Sequence, residues 1–260
     1  MYKYKNFRWT ILALTFVFLV SLVFADAKED DQRMYFIKIL TMINNLDKGG
    51  NQMEIVKKLV DTAEEFYKKY PEEGKEPILY LYVAEAVEGV DIDQAKTVYK
   101  RIKELGNDEW KERAEGSLNR LDMLGKPVSL KFTAVDGRKV DLDKLKGKVV
   151  LVDFWATWCG PCMHELPNVV KTYKKLHKKG FEIIGISFDE QKSRLKDVVK
   201  ENGMSWPQYF DGAGWGNKFG KQFGISSIPS MWLIDQKGTL VDLNARDNLE
   251  EKVTKLLAEK

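Results

Sequence analysis

The sequence predicts an α/β sandwich with a mixed central sheet, preceded by an all-α region, and three observations carry that fold class. Residues 28 to 124 place apolar side chains at three- and four-residue steps throughout. From Leu130 the pattern changes to alternation and then to continuous apolar runs separated by helical stretches. The second half orders its elements as strand, helix, strand, helix, strand hairpin and helix, an order that builds one mixed sheet between helices.

In the first half, Met34, Ile37, Leu40 and Ile43 mark one helix, and Ile55, Leu59, Ala63, Phe66 and Tyr67 a second. Further helices are expected over Glu76 to Val87, Ile92 to Leu105 and Asp108 to Met123. The breaks between them fall at Lys48-Gly49-Gly50-Asn51, at Tyr70-Pro71-Glu72-Glu73-Gly74, at Gly89 and at Gly106-Asn107. The result is a string of antiparallel helical hairpins, about five helices long, with no repeat period strong enough for a solenoid. The cluster Tyr80-Leu81-Tyr82-Val83 reads as core, and no motif in this half carries chemistry.

The boundary is placed at Leu124-Gly125-Lys126-Pro127, which divides a helical domain, 28 to 124, from a second domain, 125 to 260. Beyond it Leu130, Phe132 and Ala134 alternate, and Asp136-Gly137 marks a hairpin turn. Val149 to Trp155 is an unbroken apolar run apart from Asp153, the pattern of a strand buried on both faces. A helix is expected from Pro161 to about Lys179, a second buried strand over Phe181 to Ser187, and a helix over Ser193 to Asn202. A loop around Trp206-Pro207 and the glycine-rich stretch Asp211 to Gly216 precede a short helix, Asn217 to Phe223. Ser230 to Asp235 and Thr239 to Leu243 pair through Gln236-Lys237-Gly238, and Leu249 to Leu257 closes the chain as a helix.

With 260 residues there is room for two modest domains. The basic balance is confined to the start: Lys3, Lys5 and Arg8 are the only charged residues before Asp26, and the remainder carries 39 basic and 39 acidic residues. A net charge of zero excludes a general nucleic-acid binder. The basic start, the apolar run from Ile11 to Phe24, and Ala25 and Ala27 form the pattern of a secretory signal over residues 1 to 25, the alternative being an uncleaved membrane anchor. Both place the rest of the chain outside the cytoplasm, at the outer face of the membrane or in the periplasm, where thiols meet oxidants.

Cys159 and Cys162 are the only cysteines, so any sulfur chemistry must use this pair. A thiolate at the first turn of a helix sits beside unpaired N–H groups and the positive end of the dipole, which favours the charged form and makes Cys159 the nucleophile. Cys162, three residues on, faces the same side and can resolve a mixed disulfide. Gly160-Pro161 suits the turn, since proline is well tolerated at the first helical position. A carboxylate at Asp153, inside a run of Val, Leu, Phe and Trp, is costly to bury charged and can exchange a proton with Cys162. A CxxC pair is also half of a structural zinc site, but His164 and His177 fit no finger spacing, and no metal is expected. Dithiol exchange routes no proton through His164.

Phe154 to Cys162, followed by Glu165-Leu166-Pro167, by Gly224-Ile225-Ser226-Ser227-Ile228-Pro229-Ser230 and by Leu233-Ile234-Asp235 with Gly238, resembles thioredoxin-fold proteins of the TlpA/ResA type. The resemblance covers Gly125 to Lys260 and includes the strand-helix unit inserted after Cys162. It implies a thioredoxin-like fold and a thiol-disulfide oxidoreductase whose redox group is the Cys159–Cys162 disulfide, without a metal or organic cofactor. Pro229 matches the family's cis-proline, and Ile228 offers its backbone to an incoming chain. Trp158, Gly160 and Pro161 complete that substrate-binding edge, while Trp155 packs in the core. Glu165 matches an acidic residue that influences cysteine ionisation. Asp153 matches the buried aspartate of thioredoxins, where many TlpA-type chains carry a neutral amide, so either carboxylate can serve as the base.

The function expected is reduction of disulfides in exported proteins, with an upstream thiol donor as second partner. Thioredoxin carries the same Gly-Pro between its cysteines, and its potential near −270 mV makes it a reductant. Two other readings use the same residues. A peroxiredoxin-like peroxidase would arrange Thr157 and an arginine around one cysteine. A redox-gated adaptor would bind through the helical half.

Overall fold

The computed structural model describes residues 27–46 and 51–259; the signal expected over residues 1 to 25, and most of the break at Lys48 to Asn51, lie outside them. The chain divides into two compact units, Met1–Glu115 and Gly116–Lys260. The first contains the helices α1 (Ala27–Leu46), α2 (Gln52–Lys69), α3 (Ile78–Val87) and α4 (Ile92–Leu105), and the division falls within α5 (Asp108–Asp122).

Local chemistry sets these helix starts. The Asn51 side chain accepts the Glu54 N–H ahead of α2, and Asp91 accepts the Gln94 N–H ahead of α4, each satisfying a donor that the first turn leaves free. Along α4, Ala95, Val98, Tyr99 and Ile102 are buried at helical spacing. Tyr80, Leu81 and Val83 are core, as expected; Tyr80 stacks on Tyr67 at 4.5 Å between centroids, and the Tyr67 hydroxyl accepts the Leu79 N–H. No helix among the described residues is long and apolar enough to cross a membrane.

The second unit has a thioredoxin-like fold. A small hairpin, β1 (Lys131–Thr133) and β2 (Lys139–Asp141), turns at Gly137, whose φ of +88° suits glycine. The main sheet contains β3 (Val149–Trp155), β4 (Phe181–Ser187), β5 (Gln208–Tyr209), β6 (Ser230–Ile234) and β7 (Leu240–Asp242) in the order β5-β4-β3-β6-β7. β3 is parallel to β4 and antiparallel to β6. All seven β3 residues are buried, as expected of a central strand covered on both faces. The helices are α6 (Gly160–Leu176), α7 (Lys192–Glu201), α8 (Lys218–Gln222) and α9 (Leu249–Ala258). The stretch after Trp206, expected to be a loop, contains β5 instead: Gly185 and Ile186 pair with Gln208 and Tyr209, two residues being too few for any period to register.

Register brings the functional loops together. Phe154, near the end of β3, lies opposite Ser230, the first residue of β6, and Trp155 lies opposite Ser187, the last residue of β4. The segments after Trp155, after Ser187 and before Ser230 therefore leave the sheet at one end. Ligand sites of open α/β sheets form in this place, outside the carboxyl ends of parallel strands.

Candidate active site

Cys159 is the N-cap of α6, and it forms a disulfide with Cys162, with S–S 2.04 Å and Cα–Cα 5.2 Å. Its Sγ accepts the Cys162 N–H at 3.2 Å and lies 3.7 Å from the Ile228 carbonyl oxygen. The Ile228–Pro229 peptide is cis. The structure thus gathers Cys159, Gly160, Pro161, Cys162, Ile228 and Pro229 at one end of the sheet. Exposure does not separate the two cysteines, at 5% and 4%. Position does, because Cys159 alone occupies the helix start, where free N–H groups and the dipole favour a thiolate.

The loop before Cys159 is held by a buried carboxylate that the sequence did not single out. Asp189 accepts the Thr157 N–H at 3.1 and 3.2 Å, the Thr157 hydroxyl at 2.6 Å and the Ser187 hydroxyl at 2.8 Å. Thr157, the threonine a peroxidase would use, thus donates to Asp189. Trp158 is 53% exposed and donates its indole N–H to the Phe188 carbonyl at 3.2 Å. Its ring lies 6.1 Å from that of Trp215, which is 51% exposed and comes from the glycine-rich stretch. Trp155 is buried and donates to Gln208 Oε1 at 3.0 Å.

Asp153 sits on the same strand, two residues before Trp155 and on its face of the sheet. It is 3% exposed, and its Oδ1 has no hydrogen-bond partner among the described residues. Burial first, and then the negative charge of Glu165, push its carboxyl up to about 7. Glu165, on α6, accepts from Asn168 Nδ2 at 2.7 Å and pairs with Arg246 Nε at 3.4 Å. Ala245, next to Arg246, donates to the Met231 carbonyl at 2.9 Å and so continues the pairing with β6 past the end of β7. Arg246 follows β7 in an otherwise unremarked loop, and no sequence signal marks it.

The histidines lie apart. His164 is exposed, and His177 stands at the far end of α6, with Nδ1 3.2 Å from the Phe181 carbonyl. Among the described residues, no group of three or more His, Cys, Asp or Glu side chains is placed to hold a metal. A hollow of about 180 Å³ between Tyr173, His177 and Trp206 includes none of the site residues.

A disulfide at the start of the helix that follows the central strand, with a cis-proline loop beside it, is the arrangement of a thioredoxin-fold dithiol–disulfide oxidoreductase. Residues 123–258 match the redoxin family, and the chain belongs to that family. It is 35% identical over 121 residues to the thiol-disulfide oxidoreductase ResA of Bacillus thuringiensis (strain Al Hakam), a match spanning 46% of this chain and 68% of that protein. To the thiol:disulfide interchange protein HelX of Rhodobacter capsulatus it is 32% identical over 128 residues, spanning 49% and 69%. The thioredoxin domain of a thiol-disulfide oxidoreductase from Bacteroides vulgatus aligns with a TM-score of 0.47 at 31% identity, over 52% of this chain and 97% of that one. The relatives named thiol-disulfide oxidoreductase and thiol:disulfide interchange protein share the activity class that this site defines.

Proposed function

We propose that this enzyme reduces disulfides of exported proteins outside the cytoplasm. The observation that carries the reading is the position of Cys159: it caps α6, its sulfur accepts a hydrogen bond from the Cys162 N–H, and it lies beside the Ile228 carbonyl. In the dithiol form, the Cys159 thiolate attacks one sulfur of the substrate disulfide, and the other sulfur leaves as a thiolate. Cys162 then gives its proton to Asp153 and attacks Cys159 Sγ, which frees the second substrate thiolate. Two electrons pass to the substrate, and the Cys159–Cys162 disulfide remains. An upstream thiol donor reduces it again. Trp158, Ile228 and Pro229 form the edge against which the substrate chain lies in extended form. Glu165 sets the charge felt by Asp153. No metal or organic cofactor takes part in these steps.

Replacing Cys162 by Ala in the full chain tests the reading, because it should leave exported proteins joined to Cys159 as mixed disulfides. Recovery of small thiols alone would overturn protein reduction. Equilibration with a reference couple should give a potential near about −270 mV, and a value as oxidising as about −120 mV would overturn the direction. Export rests on the pattern of residues 1 to 25, which predicts a mature start after Ala25 or Ala27. Retention of the chain in the cytoplasm would remove this part of the reading.

A further inference from the structure

Two buried polar atoms without a hydrogen-bond partner among the described residues lie on one face of the sheet: Asp153 Oδ1 and Gln208 Nε2. Asp153 on β3 is opposite Gly185 on β4, and Gly185 is opposite Gln208 on β5. Residues directly opposite each other point to the same side, so Asp153, Gly185 and Gln208 form one row. The middle position is glycine, and the Gln208 amide occupies the space that a side chain there would need. A Cβ added to Gly185 would stand 2.0 Å from Gln208 Oε1 and 2.9 Å from Nε2. The amide thus lies over β4, one strand spacing, about 4.8 Å, from the strand that carries Asp153.

The identity of the two amide atoms follows from chemistry. An indole nitrogen can only donate, so the Gln208 atom facing Trp155 Nε1 at 3.0 Å is the oxygen. The nitrogen that remains carries two hydrogens. A buried donor without an acceptor and a buried carboxylate oxygen without a donor are each costly, and each is what the other lacks.

We propose that Gln208 is the positioning residue for Asp153: its Nε2, which is not bonded to Asp153 in this structure, donates to the carboxylate once Asp153 ionises and holds it there as acceptor for the proton of Cys162. Gly185 is the opening that lets the amide lie across the intervening strand, and Trp155 anchors the amide oxygen from the strand that carries Asp153. The other groups facing Asp153 are few. β4 and β6 present Gly185 and Met231 in this row, α6 presents Glu165, and the loop after β7 presents Arg246, paired with Glu165. Gln208 is then the uncharged donor that balances the opposing charge of Glu165.

This inference rests on the assignment of Asp153 as proton acceptor, and the test separates the two. In the oxidised full chain, the Asp153 carboxyl is titrated by carbon NMR in the wild type, in Gln208→Met and in Gly185→Ala. Loss of the amide, or its displacement by the new Cβ, should raise the midpoint by about one pH unit or more. In Gln208→Met the pH profile of the Cys162 resolution step should move with it. An unchanged midpoint in a folded Gln208→Met protein overturns the proposal, even if its thermal stability falls; should Gly185→Ala fail to fold, Gln208→Met decides alone. If Asp153→Asn leaves the pH profile unaltered while Gln208→Met still moves the titration, the positioning stands and the proton-acceptor role falls. If Asp153→Asn alters the profile and Gln208→Met moves nothing, this inference falls and that role stands.

Discussion

Asp153 pays for its place in β3 with a carboxyl that holds its proton to about pH 7 because of burial and then the charge of Glu165. Unfolding returns it to the ordinary value of 3.8. Between these values the folded chain binds a proton that the unfolded chain does not, so the stability due to the neutral acid is complete below about pH 4 and is lost as pH rises through about 7. Asp153→Asn should abolish this slope and leave the protein more stable than wild type above pH 7, by roughly 4 kcal/mol. Urea unfolding of the oxidised protein at several pH values checks it, and parallel curves for the two proteins would refute it. At this scale the two cysteines, Asp153, Glu165, Ile228 and Pro229 were legible in the sequence, through chemical type, local pattern or family motif. Asp189, Gln208 and Arg246 were not, because each acquires its partner from strand register or loop return, which no local pattern encodes.

Asn217 shows how one short element is held to the end of the sheet that carries the site. It is fully buried, its Oδ1 accepts the Phe219 and Gly220 N–H groups at 3.0 Å each, and its Nδ2 donates to the Ser187 carbonyl at 2.9 Å. It therefore starts α8 and ties it to the last residue of β4, next to the hydroxyl that Asp189 holds. Asn217→Ala loses a helix cap and leaves a buried carbonyl without its donor, at a cost of about 2 to 3 kcal/mol. A loss of unfolding free energy in denaturant smaller than a third of that would show the element to be held some other way. The longer elements were readable because a buried strand or an amphipathic helix repeats its pattern over seven residues or more. β5 was hidden because it has two residues, and yet it brings in Gln208.

For the whole molecule, the sequence showed a helical half joined to an α/β half, since periodicity changes abruptly near Leu124 and Pro127. The compact units instead divide between Glu115 and Gly116, inside α5, where helical spacing continues on both sides and no local signal exists. Redox state should act on the stability of the C-terminal unit. The Cys159–Cys162 bond closes a loop of sequence separation 3, and the loop-entropy model assigns so small a loop about 2 kcal/mol. Addition of a phosphine reductant should lower the unfolding free energy measured in urea by about that amount, and a midpoint that stays or rises would contradict it.

Ile228, whose carbonyl lies beside the Cys159 sulfur, is 69 residues further along the chain. A ribosome builds from the amino end, so the cysteine pair emerges long before β6 and the proline loop exist to flank it. In that interval its thiols have the chemistry of any exposed dithiol, with no groove to choose among partners. Selectivity therefore arrives only when the antiparallel strand β6 joins the sheet.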